Sequence, residues 1–301
     1  MKFDAYQSIT DQIIGLIETH GAHWVKPWVG NGGTAKRPIS ISTGKPYQGC
    51  NPLILWAAGF GDHRWGTYKA WQEKGCQVKA GQKAGAHIVF FKALDIKDKE
   101  SGEDKTIPFL RTVAVFNAEQ VEGAEPLVES TPESHADERV AAALAFARNT
   151  GANVSVVAGS DRAYYSPLSD KIVVPAITDF IGTATSSAQE AYAGTILHEL
   201  IHWSGHRSRL DRLKAASFGD ADYATEELVA ELGATFLCAD LQISAEPRPD
   251  HAQYLAAWLK ALKSDKRLIV RAASVASKAA NFLHSLQPDS CLEPEDIAEA
   301  A

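Results

Sequence analysis

Residues 198–202 read His-Glu-Leu-Ile-His, and few five-residue patterns specify chemistry so narrowly. On a helix, histidines at i and i+4 stand one above the other, so His198 and His202 can reach one metal ion. Glu199 then points to the open side of that ion. From there it can take a proton from a water at the open position and later hand it to a leaving group. With 10 His and 19 Glu in 301 residues, a frequency product yields about 0.02 such matches in a chain of this composition, so chance explains the pattern poorly. The competing reading is an amphipathic helix that shows its polar side to water, and it accounts for none of the partners found downstream.

A catalytic site of this kind takes three protein ligands and leaves the fourth position to water. The metzincin spacing would put a third His ten residues after the first, where Ser208 stands. Gly205 matches that pattern's glycine and His206 falls two residues short, so that class is excluded. His206 follows His198 by eight residues, about 12 Å along a helix axis, too far to share its metal. The other source of a ligand is a glutamate on a second helix. Residues 225–234 follow a loop of about twenty residues and read as helical without breakers. Glu227 and Glu231 are four apart on one face, flanked by Ala230 and Ala234, which let two helices approach closely. This resembles the gluzincin arrangement, with Glu227 on the metal and Glu231 holding the ring of His198 from outside. Glu226 is expected to point off that face into solvent, although a one-residue slip would exchange it with Glu227. Two imidazoles and a carboxylate suit Zn2+, with another divalent ion such as Mn2+ as the alternative. The developing oxyanion needs a donor besides the metal, and Tyr192, Tyr223 and His206 are candidates on the substrate side.

The elements that must position these groups are legible nearby. Ser187 to Glu190 has the form of a capping box, and residues 191–203 continue the helix with Gly194 as the one interruption. Residues 163–167 and 170–175 read as a short hairpin, residues 154–157 as another strand, and residues 136–148 as a helix ended by Gly151. In zincins an edge strand runs beside the metal helix and pairs with an extended peptide, and residues 170–175 are expected to be that strand.

Charge divides the chain. Residues 1–92 hold 11 Lys/Arg against 5 Asp/Glu, whereas residues 93–301 hold 19 against 32, for −7 overall. A basic part joined to an acidic one points to nucleic acid or another polyanion as partner of the first. Five of the seven tryptophans (Trp24, Trp28, Trp56, Trp65 and Trp71) also lie in the basic part, interleaved with Tyr47, Tyr68 and lysines. Aromatic faces can stack on unpaired bases while cations follow the phosphates, so single-stranded nucleic acid fits better than duplex. No helix-turn-helix, zinc finger or basic zipper is visible. Trp56, in a run of aliphatic residues, is expected in the core; for Trp65, Tyr68 and Trp71 core and stacking stay open.

The basic part opens with an amphipathic helix over residues 5–19 carrying Ile9, Ile13 and Ile17, followed by a Gly- and Pro-rich stretch over 24–52. Short helices near 51–59 and 67–75 come next, then a hairpin of residues 86–94 and 107–116 with a charged tip at 97–104. The fold class is α+β in two domains: residues 1–118, a mixed helix and hairpin domain; 119–137, an acidic linker; and 138–301, the metal domain. The four cysteines form no CxxC pair and read as reduced thiols. No apolar run approaches the ~20 residues of a membrane span and no signal peptide is seen, so a soluble, cytoplasmic protein without a membrane partner is expected.

At the level of whole segments the chain resembles a known family. Trp24 to Trp28, Arg37-Pro38, Thr43 to Tyr47, Asn51, Trp65, Thr67-Tyr68-Lys69, Lys79, Gly81 and Val89 to Lys92 are similar to the single-stranded-DNA-binding domain of ArdC-type antirestriction proteins and to the N-terminal region of plasmid TraC-type primases. Tyr165-Ser166-Pro167, Asp170, Pro175, His198 to Gly205, Arg209-Leu210 and Glu226 to Glu231 resemble the zincin-like metallopeptidase domain of the same proteins. The resemblance implies a plasmid-borne protein that binds the single strand entering a recipient cell in conjugation and helps it escape restriction. It also implies a protein substrate, such as a host restriction component, that the pattern does not name. Trp24, Lys26, Trp28, Arg37, Lys45, Tyr47, Trp65, Tyr68, Lys69 and Lys79 are the candidates for DNA contact. The alternatives are a DNA-binding protein whose metal domain is structural or partner-binding, and a peptidase whose basic part recognises proteins.

Overall fold

The structure, a computed structural model, describes residues 4–21, 36–97, 104–127, 136–183, 186–213, 221–244 and 255–288. Asp4 accepts a hydrogen bond from the Gln7 amide and starts α1 (Ala5–His20), which ends at Gly21 with φ 56°. The recurring Ile9, Ile13 and Ile17 are all buried, as an apolar stripe of helical period requires. A four-stranded sheet follows from β1 (Ile39–Ser40), β2 (Arg64–Gly66), β4 (Ala86–Lys97) and β5 (Asp104–Asn117), in the order β1-β2-β5-β4. Between these strands lie α2 (Asn51–Ala57), with Pro52 in its first turn, and α3 (Tyr68–Glu73), capped by the Thr67 hydroxyl. The edge of β4 is closed at Val89 by a side chain. The Asn51 amide donates to Val89 O at 2.9 Å and accepts from Val89 N at 2.8 Å, as a neighbouring strand would. The charged hairpin tip at 98–103 lies outside the described residues.

The segment read as a linker begins as structure. Asn117 and Gln120 close a reciprocal cap around a 3-10 turn at Ala118–Gln120, and β6 (Val121–Glu122) pairs antiparallel with β3 (Gln77–Val78). Glu119 accepts from the amides of Gly61 and Asp62 at 2.7 and 3.0 Å. A two-residue strand has no periodicity to read, which is why these residues passed for a connection.

In the second half α4 (Ala136–Asn149) is stopped by Gly151 at φ 74°. Then come β7 (Asn153–Val157), β8 (Tyr164–Ser166) and β9 (Lys171–Pro175). β9 pairs in parallel with β7 and antiparallel with β8, so it is the middle strand. The expectation that residues 170–175 form the edge is thereby corrected. β8 is an edge of this sheet among the described residues and lies against the metal helix. That helix, α5 (Ala188–Ser204), starts at a capping box in which Ser187 and Glu190 satisfy each other's amides. α6 (Ala221–Leu241), α7 (Leu255–Ser264) and α8 (Leu268–Ser285) complete the fold. α5 packs tightly on α6 at Gly233, where an added Cβ would stand 2.7 Å from Ile201 Cδ1. A side chain there would have to displace that of Ile201.

One apolar core runs through both halves. Ile9, Ile13 and Ile17 of α1, Leu53, Ile54 and Trp56 of α2, and Val89 of β4 join Leu197, Leu200 and Ile201 of α5, Phe236 of α6 and Ile269 of α8. The seam also carries a buried ion pair, Arg37 Nη1 to Asp240 Oδ2 at 3.1 Å, with His284 Nε2 3.0 Å from the same oxygen. Gln48 Oε1 accepts from Arg37 at 3.1 Å and from Asn281 at 3.3 Å, and the guanidinium lies 4.8 Å above the Phe236 ring. Burial pushes the Asp240 carboxyl up, but Arg37 and His284 more than offset this and hold it below the usual range.

Candidate metal centre

The i and i+4 spacing on α5 brings His198 Nε2 and His202 Nε2 to 3.2 Å. From α6, Glu227 Oε2 stands 3.6 Å from His198 Nε2, and its Oε1 stands 3.5 Å from His202 Nε2. Tetrahedral ligands about 2.0–2.1 Å from a metal stand roughly 3.3–3.4 Å from one another, so the three groups fit a divalent ion without rearrangement. Among the described residues this is the one such group of three or more His, Cys, Asp or Glu. Burial pushes the Glu227 carboxyl up, but the charges of His202 and His198, with hydrogen bonds from His198 and Tyr223, bring it down to about 2. Glu199, next to His198 on α5, is 2 % exposed.

Carboxylates back the two rings. Glu231 Oε2 faces His198 Nδ1 at 3.7 Å. Glu226 does not point into solvent as expected: its Oε1 lies 3.1 Å from His202 Nδ1, so one ring is held between consecutive glutamates. Adjacent residues differ by about 100° around a helix, and the expectation placed only Glu227 on the inner side. The angle between them is wide enough for one to face Nε2 of His202 and the other Nδ1. Arg212 approaches Glu226 from the far side, Nη2 to Oε1 at 2.9 Å and Nε to Oε2 at 3.1 Å. Sequence reasoning missed Arg212, which sits in a loop where no periodicity signals burial.

The other substrate-side candidates separate. Tyr223 hydrogen-bonds to Glu227 and so borders the site. Tyr192 packs edge-on against Phe180, ring centres 5.4 Å apart, and is not among the residues gathered at Glu227. His206 Nδ1 meets Ser208 Oγ at 2.7 Å, near an adjoining cluster. There Tyr165 donates to Asp170 Oδ1 at 2.7 Å, Arg209 donates to Asp170 Oδ2 at 3.0 Å, and the Arg209 guanidinium lies 3.9 Å over the Trp203 ring. Arg209, ahead of the other contacts, holds the Asp170 carboxyl down at about 2. This cluster ties the β8–β9 turn to the end of α5.

The DNA-contact candidates divide as well. Trp24, Lys26 and Trp28 lie outside the described residues. Trp65 is 1 % exposed, edge-on to Phe60 and packed with Leu55, Ile88 and Val115, so its faces are not open to bases. Trp56 and Trp71 are likewise buried. Arg37 belongs to the buried pair with Asp240 and cannot follow a phosphate from there. Tyr47 packs partly buried against the Trp65 cluster. Lys45, Tyr68, Lys69 and Lys79 are exposed; Tyr68 Oη accepts from Gln77 at 2.6 Å and Lys79 donates to the Glu119 carbonyl at 2.8 Å.

Residues 141–275 match the model of the zincin-like metallopeptidases, and residues 3–116 match that of the N-terminal domain of the anti-restriction factor ArdC. The chain is 39 % identical over 298 residues to the uncharacterized protein y4eC of Sinorhizobium fredii, covering 95 % of this chain and 93 % of that protein. It is 35 % identical over 295 residues to an Escherichia coli DNA primase TraC, covering 92 % of this chain but 20 % of the primase. The metal-free crystal structure of the antirestriction protein ArdC from plasmid R388 matches with a TM-score of 0.74 at 38 % identity, over 94 % of this chain and 98 % of that one. Its Mn(II)-bound structure matches with a TM-score of 0.73 at 37 % identity, over 95 % and 99 %.

Fold and site together define a protein with a zincin-like metallopeptidase domain behind an N-terminal domain of the antirestriction type. The fold implies a divalent metal, and the His198, His202 and Glu227 donor set accommodates one. The chain belongs to the ArdC antirestriction family. No helix among the described residues is long and apolar enough to cross a membrane.

Proposed function

We propose that this chain binds single-stranded DNA in the cytoplasm during conjugative transfer and protects it from restriction, and that its second half is a metal-dependent peptidase acting on a protein. The observation that carries the peptidase reading is the convergence of His198, His202 and Glu227 beside Glu199. A bound divalent ion, Zn2+ by donor set with Mn2+ as the alternative, would polarise the scissile carbonyl and acidify the attacking water. Glu199 would take the proton from that water and deliver it to the leaving nitrogen. Tyr223, which hydrogen-bonds to Glu227, is the candidate substrate-side donor to the developing oxyanion. DNA binding rests on the charge division of the chain and on the exposed Lys45, Tyr68, Lys69 and Lys79.

Labelled single-stranded and duplex oligonucleotides, titrated across a salt series, test the first part. The single strand is expected to bind more tightly, with affinity falling against log salt at about 0.7 per phosphate contacted. Equal binding to both removes the single-strand preference, and no binding to either removes DNA from the function.

A second reading makes the metal a staple between α5 and α6 without hydrolysis, and one observation favours it: Glu199 is 2 % exposed in this conformation. Glu199→Gln separates the two. The peptidase reading expects unchanged metal content by mass spectrometry and a loss of about 10²–10⁴-fold in proteolysis, with protection in a restricting recipient lost. Full protection by that variant would leave the staple reading standing.

A further inference from the structure

We infer that Arg212, acting through Glu226, is a positioning residue that fixes the tautomer and the angle of the His202 ring. The inference rests on the reading of His198, His202 and Glu227 as the metal ligands. Arg212 uses its planar fork in two directions. Nε and Nη2 engage both oxygens of Glu226, while Nη1 donates to Ser204 Oγ at 2.8 Å and Nη2 also donates to the Ile201 carbonyl. Ile201 and Ser204 flank His202 on either side in the last turn of α5. One guanidinium therefore holds the helix end and the carboxylate that meets the helix's second histidine.

The chemistry of the ring follows from this. A carboxylate gripped on both oxygens by a guanidinium is an acceptor only, so the facing His202 Nδ1 must carry the proton. In a neutral imidazole the Nε2 lone pair is then left pointing at the space shared with His198 Nε2 and Glu227. The fork is mostly buried, with 11 % of the Arg212 side chain and 20 % of the Glu226 side chain exposed, so water does not readily replace it. The backbone also makes room for it. At Gly205 an added Cβ would stand 2.9 Å from Arg212 Cζ and from Leu213 Cγ, so a side chain there would displace the guanidinium. A lysine in place of Arg212 could supply the charge but not the two-sided grip.

The test is calorimetric titration of the full-length, chelator-stripped protein with MnCl2, with the unfolding midpoint of each metal-free variant measured alongside. Glu226→Gln and Arg212→Gln are each expected to weaken Mn2+ binding by about 10–100-fold, and the double variant to be no weaker than Glu226→Gln alone. Arg212→Lys is expected to recover part of the loss, and it is the variant to rely on if Arg212→Gln lowers the metal-free midpoint. Wild-type affinity in Glu226→Gln or Arg212→Gln overturns the inference, as do losses that multiply in the double variant. His202→Ala separates the inference from the site reading beneath it. If that variant loses Mn2+ while Glu226→Gln keeps wild-type affinity, the clamp alone is wrong; if His202→Ala binds normally, the site itself is wrong.

Discussion

Glu227→Ala is expected to abolish the thermal shift that divalent metal produces in the wild-type protein. An ion present at a hundred times its dissociation constant adds about 2.7 kcal/mol to the folded state. At roughly 2–4 °C per kcal/mol for a chain of this size class, the wild-type midpoint should rise by about 5–10 °C. Removing Glu227 leaves two imidazoles from one helix and no direct ligand from α6, and loss of a direct ligand should exceed the 10–100-fold that outer partners cost. The shift in the variant should then be absent at the same metal concentration. Differential scanning with and without Mn2+ or Zn2+ measures it, and a wild-type shift in Glu227→Ala would show that the ion binds elsewhere.

Arg37→Ala should be among the most destabilising single changes in the molecule. It leaves Asp240 buried, backed only by His284, and removes the guanidinium from Phe236. Breaking one side of a buried pair costs about 3–5 kcal/mol, much of it the penalty of the charge left behind. Urea titration should show an earlier midpoint, while the salt slope of oligonucleotide binding by the folded variant stays that of the wild type, because Arg37 is not on the surface. An unchanged urea midpoint with a shallower salt slope would return Arg37 to the DNA.

His198, Glu199 and His202 were legible because helical spacing alone stacks them, and Glu227 because a second apolar helix carries carboxylates four apart. Arg212 was not legible: its position depends on how the loop after α5 folds back, and a lone loop arginine carries no pattern. The three strands of the small sheet were visible as segments, yet their order was not. Adjacent segments suggest a hairpin, and only tertiary packing brings β7 alongside β9 to make it the middle strand. In the basic half, composition cannot separate a tryptophan that stacks on bases from one that fills a core, and Trp65 filled the core. Arg37 was misread for the related reason that a cation's sequence neighbours do not reveal a carboxylate some two hundred residues away.

The shared core also bears on inheritance. A genetic crossover within residues 119–137 would pair α1 and α2 with another parent's α5, α6 and α8, so Ile9, Ile13, Leu53 and Trp56 would meet surfaces they were not shaped against. Mismatched packing at such a seam costs about 1–3 kcal/mol per clash, so few exchanges of one half between distant relatives would yield a stable product. The region should therefore move between genomes as one cassette despite its two family signatures. The TraC primases that carry a relative of this chain do align across both halves of it.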